Sequence, residues 1–315
     1  MPQARANNIN LEYETFGDAA NPAILLIMGF SAQMIAWDER FCGLLADEGF
    51  HVIRFDNRDV GLSSKIEHPT RPKLVRAALA SRLGFKVRAP YTLDDMALDT
   101  VGLMDALALP RAHVVGASMG GMIAQIVAAK HPQRVESLTL VMSTSGNPRL
   151  PQARLDLALR LVRRPLGGDR EALIRHSMEL WRLIGSPHYP PEDHVLRSKV
   201  ERSYDRSSYR HGLARQTLAI IASGSRVPLL RRIAAPTLVI HGAEDPLVPV
   251  AAGHDLAQHI PGARLHVVPG MGHDLPAPLL PTFTKLITQH AREAAHAHRL
   301  DARVRGHDEG HRHDH

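Results

Sequence analysis

The sequence predicts an α/β protein, a doubly wound and mostly parallel sheet carrying a helical cap insertion. Three observations predict it. Short apolar runs recur at 23–28, at 135–142 with polar interruptions, and at 237–240, the composition of strands covered by helices on both faces. Amphipathic helical patterns alternate with them, at 37–48, 92–107, 119–130 and 250–259. One long stretch, 148–230, keeps helical patterns but offers no convincing strand.

Taken in order, 9–17 alternates apolar and polar residues, as an edge strand does. The run 23–28 and the helical pattern 37–48 come next, and then a strand that ends at Asp56. An excursion over 65–90 holds a predicted helix at 73–83. The helical pattern 92–107 leads to the apolar run 113–115, a sharp turn, and the helix 119–130. After the run 135–142, the strandless stretch shows helical segments near 152–164, 169–184 and 192–223, punctuated by Pro165, Gly167-Gly168, Gly185-Ser186-Pro187 and Pro190-Pro191. The rhythm resumes with 237–240, 250–259 and a last strand at 265–268. From about Ala294 the chain turns polar and His-rich, which reads as a disordered tail. The expected division is a core in two parts, 1–146 with a lid-like insertion at 65–90 and 233–293, a helical cap at 147–232, and a tail at 294–315. Both insertions belong at the carboxyl edge of the sheet, where open α/β sheets bind ligands.

Composition narrows the function classes. With 315 residues, 44% hydrophobic and 22% charged, the chain can bury a sound core. No run of about 18 apolar residues predicts a membrane span, and the first residues lack the apolar core of a signal peptide. A single cysteine, Cys42, leaves no internal disulfide, so a cytoplasmic protein without a membrane partner is expected. The net charge of +6 is uneven, with seven basic and one acidic residue at 65–88 and seventeen basic and eight acidic at 147–232. These charges are scattered along helical patterns without clustered aromatics, so they read as solvated helix faces and no nucleic-acid partner is expected. The histidines of the tail form no ordered ligand set, so neither a metal nor a cofactor is expected.

The most informative stretch is Gly116-Ala117-Ser118-Met119-Gly120, set between a strand and a helix. A serine flanked by glycines two residues either side of a strand-to-helix turn is the G-x-S-x-G nucleophile elbow, and Ser118 is the candidate nucleophile. A serine hydroxyl needs a base to take its proton, and the base needs an orienting acid. Twenty histidines make composition useless for choosing the base, so position decides. His273 follows the last strand on the glycine-rich turn Pro269-Gly270-Met271-Gly272, free to reach the sheet edge, whereas His266 lies inside that strand and reads as structural. Asp245 follows the preceding strand in a turn set by Pro246 and is the candidate acid, with Glu244 its competitor. A tetrahedral intermediate also needs donors where its oxyanion forms. The backbone N–H groups of Met119 and of Phe30, in the loop 29–33 after the first apolar run, are the candidates. Met34 and Val248 are the candidate pocket residues, with Met28, Phe30 and Met119 beside them, although core packing explains the methionines equally well.

Over about 9–287 the chain resembles an α/β-hydrolase fold serine hydrolase. The resemblance is carried by Phe55-Asp56-Asn57-Arg58-Asp59-Val60-Gly61-Leu62-Ser63, Gly116-Ala117-Ser118-Met119-Gly120-Gly121, Gly242-Ala243-Glu244-Asp245-Pro246-Leu247-Val248-Pro249 and Gly270-Met271-Gly272-His273. Within that superfamily the first half and the 204–224 segment look most like the aclacinomycin methylesterase group, which removes a methyl ester from an anthracycline polyketide. Many relatives have His-Gly before the oxyanion residue, where this chain has Met28-Gly29. The resemblance implies a triad of Ser118, Asp245 and His273, oxyanion donors at Phe30 and Met119, and a structural role for Arg58. The expected function is a cofactor-free carboxylic ester hydrolase working through an acyl-enzyme on a bulky apolar ester such as a polyketide or macrolide. The partner is a small-molecule ester, and the expected state is a monomer or homodimer. A lactonase, a C–C hydrolase or an acyltransferase of the same fold are the alternatives within the class, and a non-catalytic small-molecule receptor the alternative outside it.

Overall fold

The computed structural model describes residues 2–67, 74–153, 155–162, 169–209 and 211–310. In chain order, the elements run β1 (Gln3–Ala6), β2 (Ile9–Phe16), β3 (Ala23–Ile27), α1 (Glu39–Asp47), β4 (His51–Phe55), α2 (Leu74–Arg82), α3 (Leu93–Ala106), β5 (Ala112–Ala117), α4 (Met119–Lys130) and β6 (Val135–Val141). Helices α5 (Leu155–Val162), α6 (Arg170–Ile184), α7 (Asp193–Arg206), α8 (His211–Ser223) and α9 (Val227–Leu230) follow, then β7 (Thr237–Gly242), α10 (Ala251–His259), β8 (Arg264–Val268) and α11 (Leu280–Gly310).

The strands form one eight-stranded sheet in the order β1-β2-β4-β3-β5-β6-β7-β8. β1 and β2 are antiparallel, β2 runs antiparallel to β4, and every pairing from β4 to β8 is parallel. The chain winds from β3 outward to β4, then returns to lay β5 on the other side of β3. Connections on either side of that junction leave in opposite directions, which opens a crevice at the carboxyl ends of β3 and β5. Strand β3 is buried along its whole length because its side chains alternate between two cores. Leu25 and Ile27 pack with α3 and α4, whereas Ile24 and Leu26 pack with Trp37, Phe41 and the Phe283–Ile287 face of α11. Among the described residues no helix is long and apolar enough to cross a membrane.

Four expectations change. The strand at 9–16 is not the edge, because β1 pairs outside it through a two-residue turn in which Asn7 and Asn8 take φ of 45° and 65°. Two left-handed residues suit the tight hairpin turns, and asparagine tolerates that conformation. The single helix expected at 192–223 is two, α7 and α8, with Ser207 extended at φ −168° and ψ 130°. The Gln33 side chain caps the break, its Nε2 donating to the carbonyls of Ser203 at 2.6 Å and Ser207 at 3.0 Å. The segment expected to be a disordered tail is helical as far as Gly310, as part of α11. Its alanines, arginines and leucine are strong helix formers, and residues 311–315 lie outside the described ones. Finally, His266 is exposed on β8, an edge strand, so it fills no core position.

The strandless stretch holds α5 to α9, with residues 154, 163–168 and 210 outside the described ones. These helices meet the loops at the carboxyl ends of the parallel strands. Gln216 of α8 accepts from the Ser31 N–H at 2.8 Å in the loop after β3. Arg206 of α7 and Arg215 of α8 pair with Asp56 at 2.7 Å and Asp59 at 2.8 Å after β4. Both carboxylates are buried, and both ion pairs are closed by further bonds: Asp56 also accepts from the Met34 and Leu62 N–H groups, and Asp59 from the Tyr91 hydroxyl. A buried ion pair is tolerated only when its remaining lone pairs are satisfied in this way.

Candidate active site

Each of the three candidate side chains leaves the sheet just past the end of a parallel strand. Ser118 follows β5 at φ 52° and ψ −118°, a positive-φ backbone that a non-glycine residue rarely adopts. The turn is held by the Ser118 N–H on the Val141 carbonyl at 2.9 Å and by the Ser143 hydroxyl on the Ser118 carbonyl at 2.8 Å. Its glycines are required by close approach. A Cβ on Gly120 would lie 2.0 Å from the Ile27 carbonyl oxygen, and one on Gly116 would lie 2.4 Å from that of Gly120. Strand, turn and helix therefore pack backbone to backbone, and the hydroxyl stands at the crevice beside β3.

His273 follows β8 on its glycine-rich turn, and Asp245 follows β7. The Nε2 of His273 is 3.0 Å from Ser118 Oγ, and its Nδ1 is 2.7 Å from Asp245 Oδ2. The other carboxylate oxygen of Asp245 accepts from the N–H groups of Leu247 at 2.9 Å and Val248 at 2.8 Å. Asp245 and His273 are both buried. Oδ2 is thereby aimed at the imidazole, which donates from Nδ1 and presents a bare Nε2 to the serine hydroxyl. The competitor points away: Glu244 accepts from the Gly270 N–H at 2.6 Å, tying the turn after β7 to the turn after β8.

The loop after β3 crosses directly above the serine. A Cβ on Gly29 would lie 3.1 Å from that of Ser118, so Phe30 begins beside the hydroxyl. Met119 opens α4, where the first N–H groups of a helix lack intrahelical acceptors. Among the candidate pocket residues, Met34 is wholly buried and its N–H donates to Asp56 at 2.7 Å. Val248 is half-buried and supports the acid through its N–H. Arg58 forms a buried fork with Asp99, both bonds at 2.6 Å, as its structural reading expects.

Sequence reasoning missed His241. Its Nε2 donates to the Val248 carbonyl at 2.8 Å and lies 3.7 Å from Asp245 Oδ2, and burial holds its imidazole below the usual histidine range. A neutral ring thus backs the turn that carries the acid. Its position four residues before Asp245, closing a strand, was the available signal. Gln33 and Gln216 were also missed, because what they do depends on helices far away in the chain.

A run of hydroxyl, imidazole and carboxylate across the carboxyl edge of such a sheet defines the class of protein. The profile of the alpha/beta hydrolase fold family matches residues 22–276, and the chain belongs to that family. It is 29% identical over 314 residues to a rhodomycin D methylesterase of Streptomyces sp. strain C5, covering 91% of this chain and 97% of that protein. A rhodomycin D methylesterase of Streptomyces peucetius is 28% identical over 317 residues, covering 93% and 99%. Among solved structures, an enol-lactonase from Burkholderia xenovorans LB400 superposes with a TM-score of 0.72 at 25% identity, covering 92% of this chain and 99% of that one.

Proposed function

We propose that this protein is a serine-dependent carboxylic ester hydrolase, with Ser118 the nucleophile, His273 the base and Asp245 its orienting acid. The observation that carries the proposal is the continuous chain of contacts from Ser118 Oγ through His273 to Asp245, 3.0 Å and 2.7 Å long. Nε2 of His273 takes the hydroxyl proton as Ser118 Oγ bonds to the ester carbonyl carbon. The carbonyl oxygen becomes an oxyanion, held by the N–H groups of Phe30 and Met119. The imidazolium formed stays beside the Asp245 carboxylate, then returns its proton to the departing alkoxide, which leaves as the alcohol. Water follows the same path: His273 removes its proton, hydroxide attacks the acyl-enzyme, and the acid leaves as Ser118 recovers its hydrogen.

The substrate assigned is a methyl ester of a bulky apolar acid, of the polyketide kind, on the strength of two methylesterase relatives matched over nearly their whole length. A cyclic ester would follow the same chemistry, and a 3-oxoadipate enol-lactonase of Acinetobacter baylyi, 28% identical over 265 residues, keeps that reading second. Helices α5 to α9 form the cap that shapes the acyl site in this proposal. The test is intact-mass analysis after exposure to a fluorophosphonate, beside hydrolysis of a panel of methyl esters and lactones. One adduct on the wild type, absent from Ser118→Ala and much slowed in His273→Ala, is expected. A well-folded wild type that takes up no label overturns the assignment.

A further inference from the structure

The turn that ends α6 lies directly against the loop that carries His273. The His273 N–H donates to the Ile184 carbonyl at 2.7 Å. One residue earlier, the Gly272 N–H donates to Ser186 Oγ at 2.9 Å, and the Ser186 hydroxyl donates in turn to Oδ1 of Asp274. Between these bonds the two backbones touch, since a Cβ on Gly272 would lie 2.4 Å from the Gly185 carbonyl oxygen. Ser186 and Asp274 are both buried, with 2% and 9% of their surface exposed. Three successive residues of the histidine loop, Gly272 to Asp274, are therefore bonded by two residues of the cap, Ile184 and Ser186, with Gly185 packed between them. A second cap helix adds to the contact: Lys199 of α7 stands 4.2 Å from the centre of the Trp181 ring, and its charge acts on Asp274.

We propose that Ser186 is a positioning residue for His273, so that the cap, besides covering the site, completes the base. The proposal rests on the assignment of His273 as that base. The cap holds the end of the loop next to the imidazole. The loop's first half is anchored by the buried Met271 side chain and by Glu244 on the Gly270 N–H, with Gly270 at φ 74°, whereas Gly272, next to the imidazole, has no side chain with which to fix itself. The loop's two N–H groups nearest the imidazole are both spent on the cap turn. Ser186 uses both halves of its hydroxyl, accepting from Gly272 and donating to Asp274, so removing it frees both ends at once. A catalytic group must be held within about 0.5 Å of its productive position, and the brace acts within one residue of the imidazole. A corollary concerns access: the cap cannot lift at the α6 corner without drawing His273 from Ser118, so an opening that admits a large ester hinges elsewhere.

The test compares Ser186→Ala with wild type in kcat and KM for one small methyl ester, in the fluorophosphonate labelling rate of Ser118, and in the far-downfield proton resonance of the His273–Asp245 bond. Expected is a fall of about 10²-fold in kcat and in labelling rate, the scale of a misplacement of about 1 Å, with KM within about twofold and the downfield resonance broadened or shifted. Asp274→Ala should reproduce the loss, the double variant should be no worse than either single one, and Asp274→Asn, which keeps an acceptor for the Ser186 hydroxyl, should recover most of the rate. If Ser186→Ala does not fold, the Asp274 pair carries the same comparison. Unchanged kcat and labelling in folded Ser186→Ala and Asp274→Ala, or a loss confined to KM, overturns the proposal while leaving the triad assignment standing. A wild type that takes no label overturns both.

Discussion

Replacing Asp245 with asparagine should remove activity while sparing the fold, and the geometry shows why. Oδ1 of Asp245 accepts two backbone N–H groups, from Leu247 at 2.9 Å and Val248 at 2.8 Å, while Oδ2 faces His273 Nδ1 at 2.7 Å. Asparagine has only one carbonyl oxygen, and two fixed donors claim it. Its amide NH2 is then forced toward His273. Facing a donor, the imidazole must present a bare Nδ1 and carry its proton on Nε2, where it can no longer accept from Ser118. The wrong tautomer costs about 10⁴-fold in kcat in the serine-protease triad, which corresponds to about 5 kcal/mol of transition-state stabilisation. Both backbone bonds survive and the volume is unchanged, so Tm should move by no more than a few degrees. The assay is kcat on a methyl ester with Tm measured alongside, and Glu244→Gln as the control. Glutamine can still accept the Gly270 N–H that Glu244 holds at 2.6 Å, and it should remain active. Folded Asp245→Asn with kcat within tenfold of wild type, or an equal loss in Glu244→Gln, would refute the reasoning.

Two further outcomes follow from packing and protonation. Gly120→Ala places a Cβ 2.0 Å from a backbone oxygen of β3, which no rotamer change relieves, and should destabilise by about 1–3 kcal/mol or more, with lost activity. Gly43→Ala in α1 meets nothing within 4 Å and should be neutral or stabilise by up to about 1 kcal/mol, so equal Tm shifts in the two variants would contradict the close-approach argument. His290 is buried against β6, with Nε2 donating to the Leu138 and Pro236 carbonyls at 3.2 Å and 3.1 Å and Nδ1 accepting from Arg264 at 3.2 Å. Burial and the Arg264 charge hold it below the usual histidine range. The unfolded chain therefore takes up a proton first as pH falls through about 6.5, and stability declines by up to about 1.4 kcal/mol per pH unit until the native ring also titrates. Denaturant unfolding from pH 8 to 5 should show that slope, shallower in His290→Gln; an unchanged slope in the variant assigns it to other groups, such as His241.

The elbow was legible because its constraints lie within a few residues. A strand, a positive-φ serine and glycines that must meet neighbouring backbone fit within Gly116–Gly120, and local sterics leave few other residues able to serve there. The same locality made Asp245 and His273 candidates, since each sits in a turn just past an apolar strand. What stayed hidden were choices made between distant segments. Whether Glu244 or Asp245 faces the imidazole is decided by which carboxylate meets the Leu247 and Val248 N–H groups and which meets Gly270. The end of helix α7 is capped by Gln33, 174 residues away from Ser207, which donates to the Ser203 and Ser207 carbonyls. The β1 hairpin was overlooked because four residues give too short a pattern to register.

By itself, then, the sequence determined the alternation of strand and helix, the place of the serine-bearing turn between β5 and α4, and the turns after β7 and β8 that carry Asp245 and His273. Each depends on side-chain volume, hydropathy period or permitted backbone angles over a short span. Only the tertiary structure decided that Ser118 and His273, 155 residues apart, stand 3.0 Å from one another. It also decided that the turn after α6 is hydrogen-bonded to the loop that carries His273. Such contacts join surfaces whose partners are set by the sheet order and the crossover at β3 and β5, and hydrogen-bond geometry at that distance is a property of the packed whole rather than of any segment.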